Sequence, residues 1–262
     1  MSTLHKYWKT AAMAAASYVG DSPLFLVDYL LRFLRVAVLL ALWRVILAGK
    51  GAVSGMTIES VLTYTLIAEV LGTQLAPRTQ LDWSLWEGAI VGRMLQPLGI
   101  FGQFIAEMCG KWLFELCLFS LPLLLLAPLL GVDPRPSGPA AAVLFPISLL
   151  LGISVGLALD FIFGALLVLL VLPVWAVNHI RAAVTTLLSG ALLPLALLPV
   201  GVGAALAWLP FASMASAPLQ IYVGTGDPLR LLTIQAGWSL VLWPLARWLW
   251  RISRERMVSY GG

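Results

Sequence analysis

One acidic residue in an apolar run is where chemistry has to be sought first in this chain. Asp160 lies within "LGISVGLALDFIFGALLVLL", and no other Asp, Glu, Lys or Arg occurs between Arg135 and Arg181. An ionised carboxylate at that depth must face protein or water and find a partner, and Arg44 is the candidate. Such a residue is a candidate functional group. Just upstream, "GISVG" matches the G-x-S-x-G pattern of serine hydrolases, with Ser154 as the nucleophile. That motif needs a strand, a sharp turn and a helix, whereas these residues lie within one apolar helix. The candidate bases, His5 and His179, fall near the membrane surface, so Gly152 and Gly156 read instead as a small-residue pair for close helix packing.

Glu107, Lys111 and Glu115 recur every four residues, so they share a helix face and can neutralise one another; the alternative is a polar wall for a substrate. Cys109 and Cys117 are eight residues apart, about 12 Å along a helix and beyond the roughly 7 Å limit for a disulfide. They read as inert apolar fillers. "AGKG" and "CGKW" lack the glycine spacing and hydroxyl of a phosphate-binding loop. Two isolated histidines and two thiols on one helix supply no metal site. The expectation is a non-enzymatic chain with no catalytic residue, metal or cofactor of its own.

The elements that position these residues follow from composition. The chain is 61% hydrophobic and 11% charged, with a mean hydropathy of +0.96, against about 45–50% and about 25% for a soluble domain. Its long, unalternating apolar runs are spanning helices rather than barrel strands. The expected fold is all-α, a single polytopic bundle over residues 1–262. The formal charge of +4 comes from basic residues flanking apolar runs, which orients helices and does not call for a nucleic-acid partner.

"MSTLHKYWKTAAMAAASYVGD" imitates a signal peptide, but its apolar run is short and weak, and residues 1–22 read as an interfacial helix with Tyr7 and Trp8 at headgroup level. Six crossings follow. They are Val27–Leu47, with Arg32 and Arg35 snorkelling near one end, Thr57–Leu75 with Glu59 and Glu69, Phe101–Leu130, Ala140–Trp175 with a bend near Pro173, a fifth from Ala183 to near Leu198, and Leu229–Trp250. The polar segment 76–99 is a loop with its own short helix. Starting inside places Arg78, Arg93, Arg181, Arg251, Arg254 and Arg256 in the cytoplasm, with Lys50, Arg135 and Arg230 outside. Both termini are therefore expected in the cytoplasm.

"LLSGALLPLALLPVGVGAALAWLPF" is apolar enough for lipid yet broken by Pro194, Pro199 and Pro210 and by Gly190, Gly201 and Gly203. The fifth helix should stop at the outer boundary, and "AALAWLPF" should dip back as a short re-entrant helix stopped by Pro210, covered by protein.

Two stretches carry a resemblance. "EGAIVGRMLQPLG" resembles a signature of the ATP-binding-cassette (ABC) type-2 permeases, in a subfamily of six-helix membrane subunits of about this length, through Gly88, Ile90, Leu95, Pro97 and Leu98. "SGALLPLALLPVGVGAALAWLPFASMASAPLQIYVG" resembles its second signature through Ser189, Gly190, Pro194, Pro199, Leu209, Pro210, Phe211, Pro218 and Gly224. The resemblance covers essentially the whole chain, with two departures. Arg93 stands where an aliphatic residue is usual, and Asp160 lies in a region usually apolar.

The resemblance implies an exporter in a bacterial plasma (inner) membrane, made of this permease, a second permease that is the same or homologous, and two ATPase subunits that bind ATP and Mg. It implies that the 76–99 loop holds a coupling helix seated in the ATPase, comprising Leu81, Asp82, Trp83, Leu85, Trp86, Glu87, Gly88 and Ile90. Trp83 and Trp86 would anchor that contact, with Asp82 and Glu87 at its rim; the bland reading is an interfacial helix with its tryptophans among the headgroups. Segment 199–226 would be a re-entrant outer gate, with gate residues Pro194, Pro199, Leu209, Pro210 and Phe211. The pathway, lined mostly by the first, second and fifth helices, would include Met56, Asp160 and Met214 and suit amphipathic or lipophilic cargo. The alternative is a proton- or ion-coupled secondary transporter using Asp160, Glu59 or Glu69.

Overall fold

The computed structural model describes residues 3–20, 25–49, 51–199 and 201–260. Positions 1–2 and 21–22 of the expected interfacial helix, Lys50 and Val200 lie outside them. Among the described residues all helices and turns belong to one helical assembly, in chain order α1 (Thr3–Gly20), α2 (Phe25–Leu47), α3 (Ile58–Val70), α4 (Gly72–Leu75), α5 (Leu81–Trp86), α6 (Ile90–Met94) and α7 (Ile100–Glu115). A π-helical turn, Leu116–Ser120, joins α7 to α8 (Leu121–Leu126). There follow α9 (Pro139–Leu169), α10 (Val174–Leu188), α11 (Val202–Leu206), α12 (Pro210–Met214), α13 (Ser216–Val223) and α14 (Pro228–Tyr260).

Local chemistry sets the boundaries. The Thr57 hydroxyl accepts the Ser60 N–H at 3.2 Å and Glu59 occupies the first turn, so α3 is capped and matched to its dipole. Pro139 occupies the first turn of α9, where its missing N–H costs nothing. The expected bend near Pro173 is a full break: α9 ends at Leu169, Val171 has φ +52°, and Pro173 caps α10.

The fifth helix differs most from expectation. It is Val174–Leu188 rather than a segment from Ala183 to near Leu198. The backbone turns at Gly190, φ +76°, and the Ser189 carbonyl accepts the N–H of Ser216 at 2.9 Å instead of continuing the helix. Pro210 likewise does not end a helix; it starts α12. The described residues from 189 to 226 thus form a 3-10 turn at Leu195–Leu197 and three short helices, of which α12 and α13 fold back against α9 and α14 and α11 packs on the 3-10 turn.

Helix α9 is the axis of the assembly, packed by α14 along its length and by α12, α13, α5 and α4. One core joins α2, α3, the π turn, α8 and α13 around Val36, Tyr64, Leu66 and Leu219; a second joins α5, α7, α9 and α14 around Leu81, Phe104, Phe161 and Ala246. Outward positions such as Leu30, Val45, Leu150 and Leu240 are exposed and equally apolar, as lipid-facing surfaces are. Among the described residues three helical stretches, Ile100–Leu126, Pro139–Leu169 and Pro228–Met257, are long and apolar enough to cross a membrane. At 31 residues, α9 is about 46 Å long against about 30 Å of hydrocarbon, so it must tilt or protrude.

Candidate functional site

The site is built on one side of α9, where Gly156, Asp160 and Gly164 follow one per turn. The segment after α4 runs along them, residue for residue. Pro77 lies against Gly156, where a Cβ would come within 2.5 Å of its Cγ, and Leu81 lies against Gly164, where a Cβ would come within 2.6 Å of its Cδ2. Between them, Thr79 donates its backbone N–H to Asp160 Oδ2 at 3.0 Å and its hydroxyl to the same oxygen. Pro77, Thr79 and Leu81 thus meet three successive turns of α9, with the chain turning through the left-handed region at Gln80, φ +60°, just before α5 begins.

Asp160 is 3% exposed, and its other oxygen is held by Arg181 of α10. Arg181 also approaches Asp82 of α5 at 3.8 Å and Asn178 at 3.4 Å, while Arg78 donates to the same Asn178 oxygen. A buried carboxylate is tolerable only when ion-paired and hydrogen-bonded, and Thr79 and Arg181 supply both. The partner is therefore Arg181 and not Arg44. Arg44, near the C-terminal end of α2, donates instead to the carbonyls of Leu130 and Gly131 in the turn beyond α8.

The acidic ladder on α7 is also outward-reaching rather than self-neutralising. Arg93 clamps Glu107 with two bonds of 2.6 and 3.1 Å and lies 4.5 Å over the Phe104 ring. Lys111 donates to Gln80 at 3.0 Å, and Glu115 takes Arg32 and the Thr73 hydroxyl. Neighbouring elements cover this face, so each charge meets a closer partner than its fellow one turn away. Ser154 lies within α9, 2.7 Å from the Ser239 hydroxyl and accepting the Trp243 indole N–H at 2.9 Å. Among the described residues its hydrogen-bond partners are a hydroxyl and an indole N–H, neither of which can act as its base.

A cavity of about 180 Å3 opens beside Asp160 and Arg181, and Phe211 and Met214 are among the residues that line it. Through Ala76, Arg78, Thr185 and Thr186 it adjoins a larger cleft of about 630 Å3, walled by α2, the end of α3, α10 and the residues following it. In that cleft Arg35 pairs with Glu69 at 2.8 Å. Burial, and then repulsion from Arg181, push Arg78 below the ordinary arginine value, against the pull of Asp82 and Asp160; an arginine stays cationic regardless.

The remaining sequence candidates fall in several places. Leu81, Asp82 and Ile90 are buried inward, Leu85 is half-buried, and Glu87 and Gly88 are exposed beside Trp83 and Trp86, which are 48% and 63% exposed. Leu209 and Pro210 are half-buried at the start of α12, whereas Pro194 is buried and Pro199 exposed beside a separate cleft near Ser54. Met56 is in the first core, apart from Asp160. The sequence does not mark Thr79, Arg181 or Gln235 as site residues; the glycines four residues on either side of Asp160 are the signal for the groove that the first two fill. Among the described residues no group of three or more His, Cys, Asp or Glu side chains is placed to hold a metal.

A family model described as ABC-2 family transporter protein matches residues 33–261. No curated protein and no solved structure matches the chain.

Proposed function

The chain belongs to the ABC-2 transporter family, as a membrane permease whose membership implies ABC ATPase partners, and from this premise we propose that it is the membrane subunit of an ATP-driven exporter. In this reading the chain crosses a bacterial plasma membrane six times with both termini in the cytoplasm. It pairs with a second permease, identical or homologous, and with two ATPase subunits that hold ATP and Mg. The chain itself performs no catalysis. The cleft between α2, α3 and α10 is its half of the pathway, α5 is the coupling helix, and the segment from 189 to 226 is the outer gate. The cargo is amphipathic or lipophilic.

The observation that carries this reading is the seating of the Pro77–Leu81 segment on α9, with Trp83 and Trp86 left exposed beyond it. A force applied to those indoles is delivered to the Thr79–Asp160–Arg181 network, and Phe211 and Met214 line the cavity beside it. Truncating both anchors (Trp83→Ala with Trp86→Ala) in the reconstituted complex should reduce ATP-dependent transport at least about tenfold, as loss of hot-spot anchors does, with the permease still folded. Undiminished transport would remove the coupling role of α5.

Asp160 and Glu69 are each engaged by an arginine, which favours this reading over a proton-coupled carrier using those carboxylates or Glu59. Transport by this chain alone, driven by a proton gradient without any ATPase, would decide for the carrier.

A further inference from the structure

We infer that the 630 Å3 cleft binds the anionic head group, a phosphate or carboxylate, of an amphipathic molecule. This rests on the exporter reading only for what happens to that molecule next. The volume lies within the roughly 300–1,000 Å3 of small-molecule sites.

Its charge is lopsided. Arg32, Arg35 and Arg78 line it against Glu69 alone. Arg32 is answered from outside the lining by Glu115, and Arg35 by Glu69 with the arginine side chain still 59% exposed. Arg78 meets the neutral amide of Asn178, and the carboxylates closest to it, Asp82 and Asp160, already face Arg181. An anion placed between Arg35 and Arg78 therefore gains two forked donors. The hydroxyls of Thr185 and Thr186 line the same wall. The amphipathic character comes from α2. Phe119, Ala191 and Leu192 line the cleft itself, and outside that lining the adjoining flank of α2 exposes Leu31, Leu34 and Val38, so a chain attached to the bound head group and leaving past α2 meets apolar surface.

The test is equilibrium binding of radiolabelled dodecyl phosphate to the full chain in nanodiscs of zwitterionic phosphatidylcholine. Unlabelled dodecyl phosphate should compete at least about tenfold better than dodecyltrimethylammonium, which has the same tail and the opposite charge. Arg35→Gln and Arg78→Gln should each weaken binding about tenfold, and Arg35→Lys and Arg78→Lys by less, because lysine keeps the point charge and loses only the fork. Equal competition by the cation overturns the inference, whether or not the glutamine variants fold. Inorganic phosphate should not compete at matching concentrations; if it does, the site serves a soluble anion and the amphipath is overturned. No ATPase is present, so this result is independent of the ATP-coupling reading, which stands or falls on the tryptophan variants.

Discussion

Helix α9 carries two buried polar junctions that differ in kind. At Gly156, Asp160 and Gly164 it holds the Pro77–Leu81 segment and α10 through an ion pair and two threonine donors. One and two turns earlier, Gly152 and Ser148 hold α12 and α14 through a neutral amide. Gln235 donates to the carbonyls of Ser148 and Ser213 at 3.0 and 2.8 Å and accepts the Ser148 hydroxyl at 2.8 Å. Both Ser148 and Gln235 are 0% exposed. The amide junction is sealed and its geometry is satisfied in one arrangement, which makes it a staple. The ionic junction borders a cavity and offers Arg181 two further acceptors, Asp82 and Asn178. A guanidinium that can change partners without a bare charge is suited to transmit movement, because the cost of stranding a buried ion is avoided.

The sharpest way to break this contrast is at Asp160. Asp160→Ala should destabilise the protein by about 3 kcal/mol, the low end for breaking a buried pair because Asp82 remains near Arg181. Replacing both partners (Asp160→Leu with Arg181→Met) should recover most of that loss, since apolar substitutes for a whole buried pair are often neutral. ATP-coupled transport should stay lost in both. Thermal unfolding in detergent, read beside transport in proteoliposomes, separates the two effects. Transport restored together with stability would make this junction a staple like the other.

Gln235→Leu should cost about 2 kcal/mol, for it strips the side-chain donor from two buried carbonyls. Here the ratio of transport to ATP hydrolysis in the surviving folded protein should be unchanged. A loss of that ratio without a matching loss of stability would place the amide in the transmission path as well.

The glycines sharpen the same comparison at smaller scale. A Cβ on Gly152 meets backbone oxygens of Met214 and Ser213 at 2.8 and 3.0 Å, whereas on Gly156 it meets the Pro77 ring at 2.5 Å and the Met214 methyl at 3.1 Å. Backbone oxygens at Gly152 and the backbone-fused Pro77 ring at Gly156 both yield little, so each alanine should cost about 2 kcal/mol. Gly156→Ala should nevertheless impair coupling the more, by lifting the Pro77 segment off α9. Similar unfolding midpoints with a lower transport-to-hydrolysis ratio for Gly156→Ala alone are the expected outcome; equal ratios would place both glycines in the staple.

Much of the helical layout was legible. Runs as apolar as 140–169 or 229–250 can only be buried or lipid-facing, and Pro173 marked the break between α9 and α10. The end of α10 at Leu188 was legible only as one of several possible stops, since Gly190, Pro194 and Pro199 each could end the helix. What stops the helix is the bond from Ser216, 27 residues on, together with the turn at Gly190. Asp160 was legible as a carboxylate in need of a partner, and Gly152 and Gly156 as a close-packing face. The choice of Arg181 over Arg44 was not, because it depends on where α10 and the 77–81 segment dock. The glycine spacing of one helix can announce a groove, but the sequence of that helix does not say which segment fills it.

The smallest expected effect concerns Ser154, on the side of α9 that meets α14. Its hydroxyl bridges Ser239 and the Trp243 indole within helix-to-helix packing. Ser154→Ala removes one hydroxyl and leaves the Ser239 hydroxyl free to turn toward other acceptors, so the loss should be about 1 kcal/mol. Transport and ATP hydrolysis should both persist at the unsubstituted level. A nucleophile would behave otherwise: its alanine variant would fold normally and lose activity by orders of magnitude. That pattern here would move the chemistry of α9 away from the ionic junction and onto a residue that the packing makes a strut.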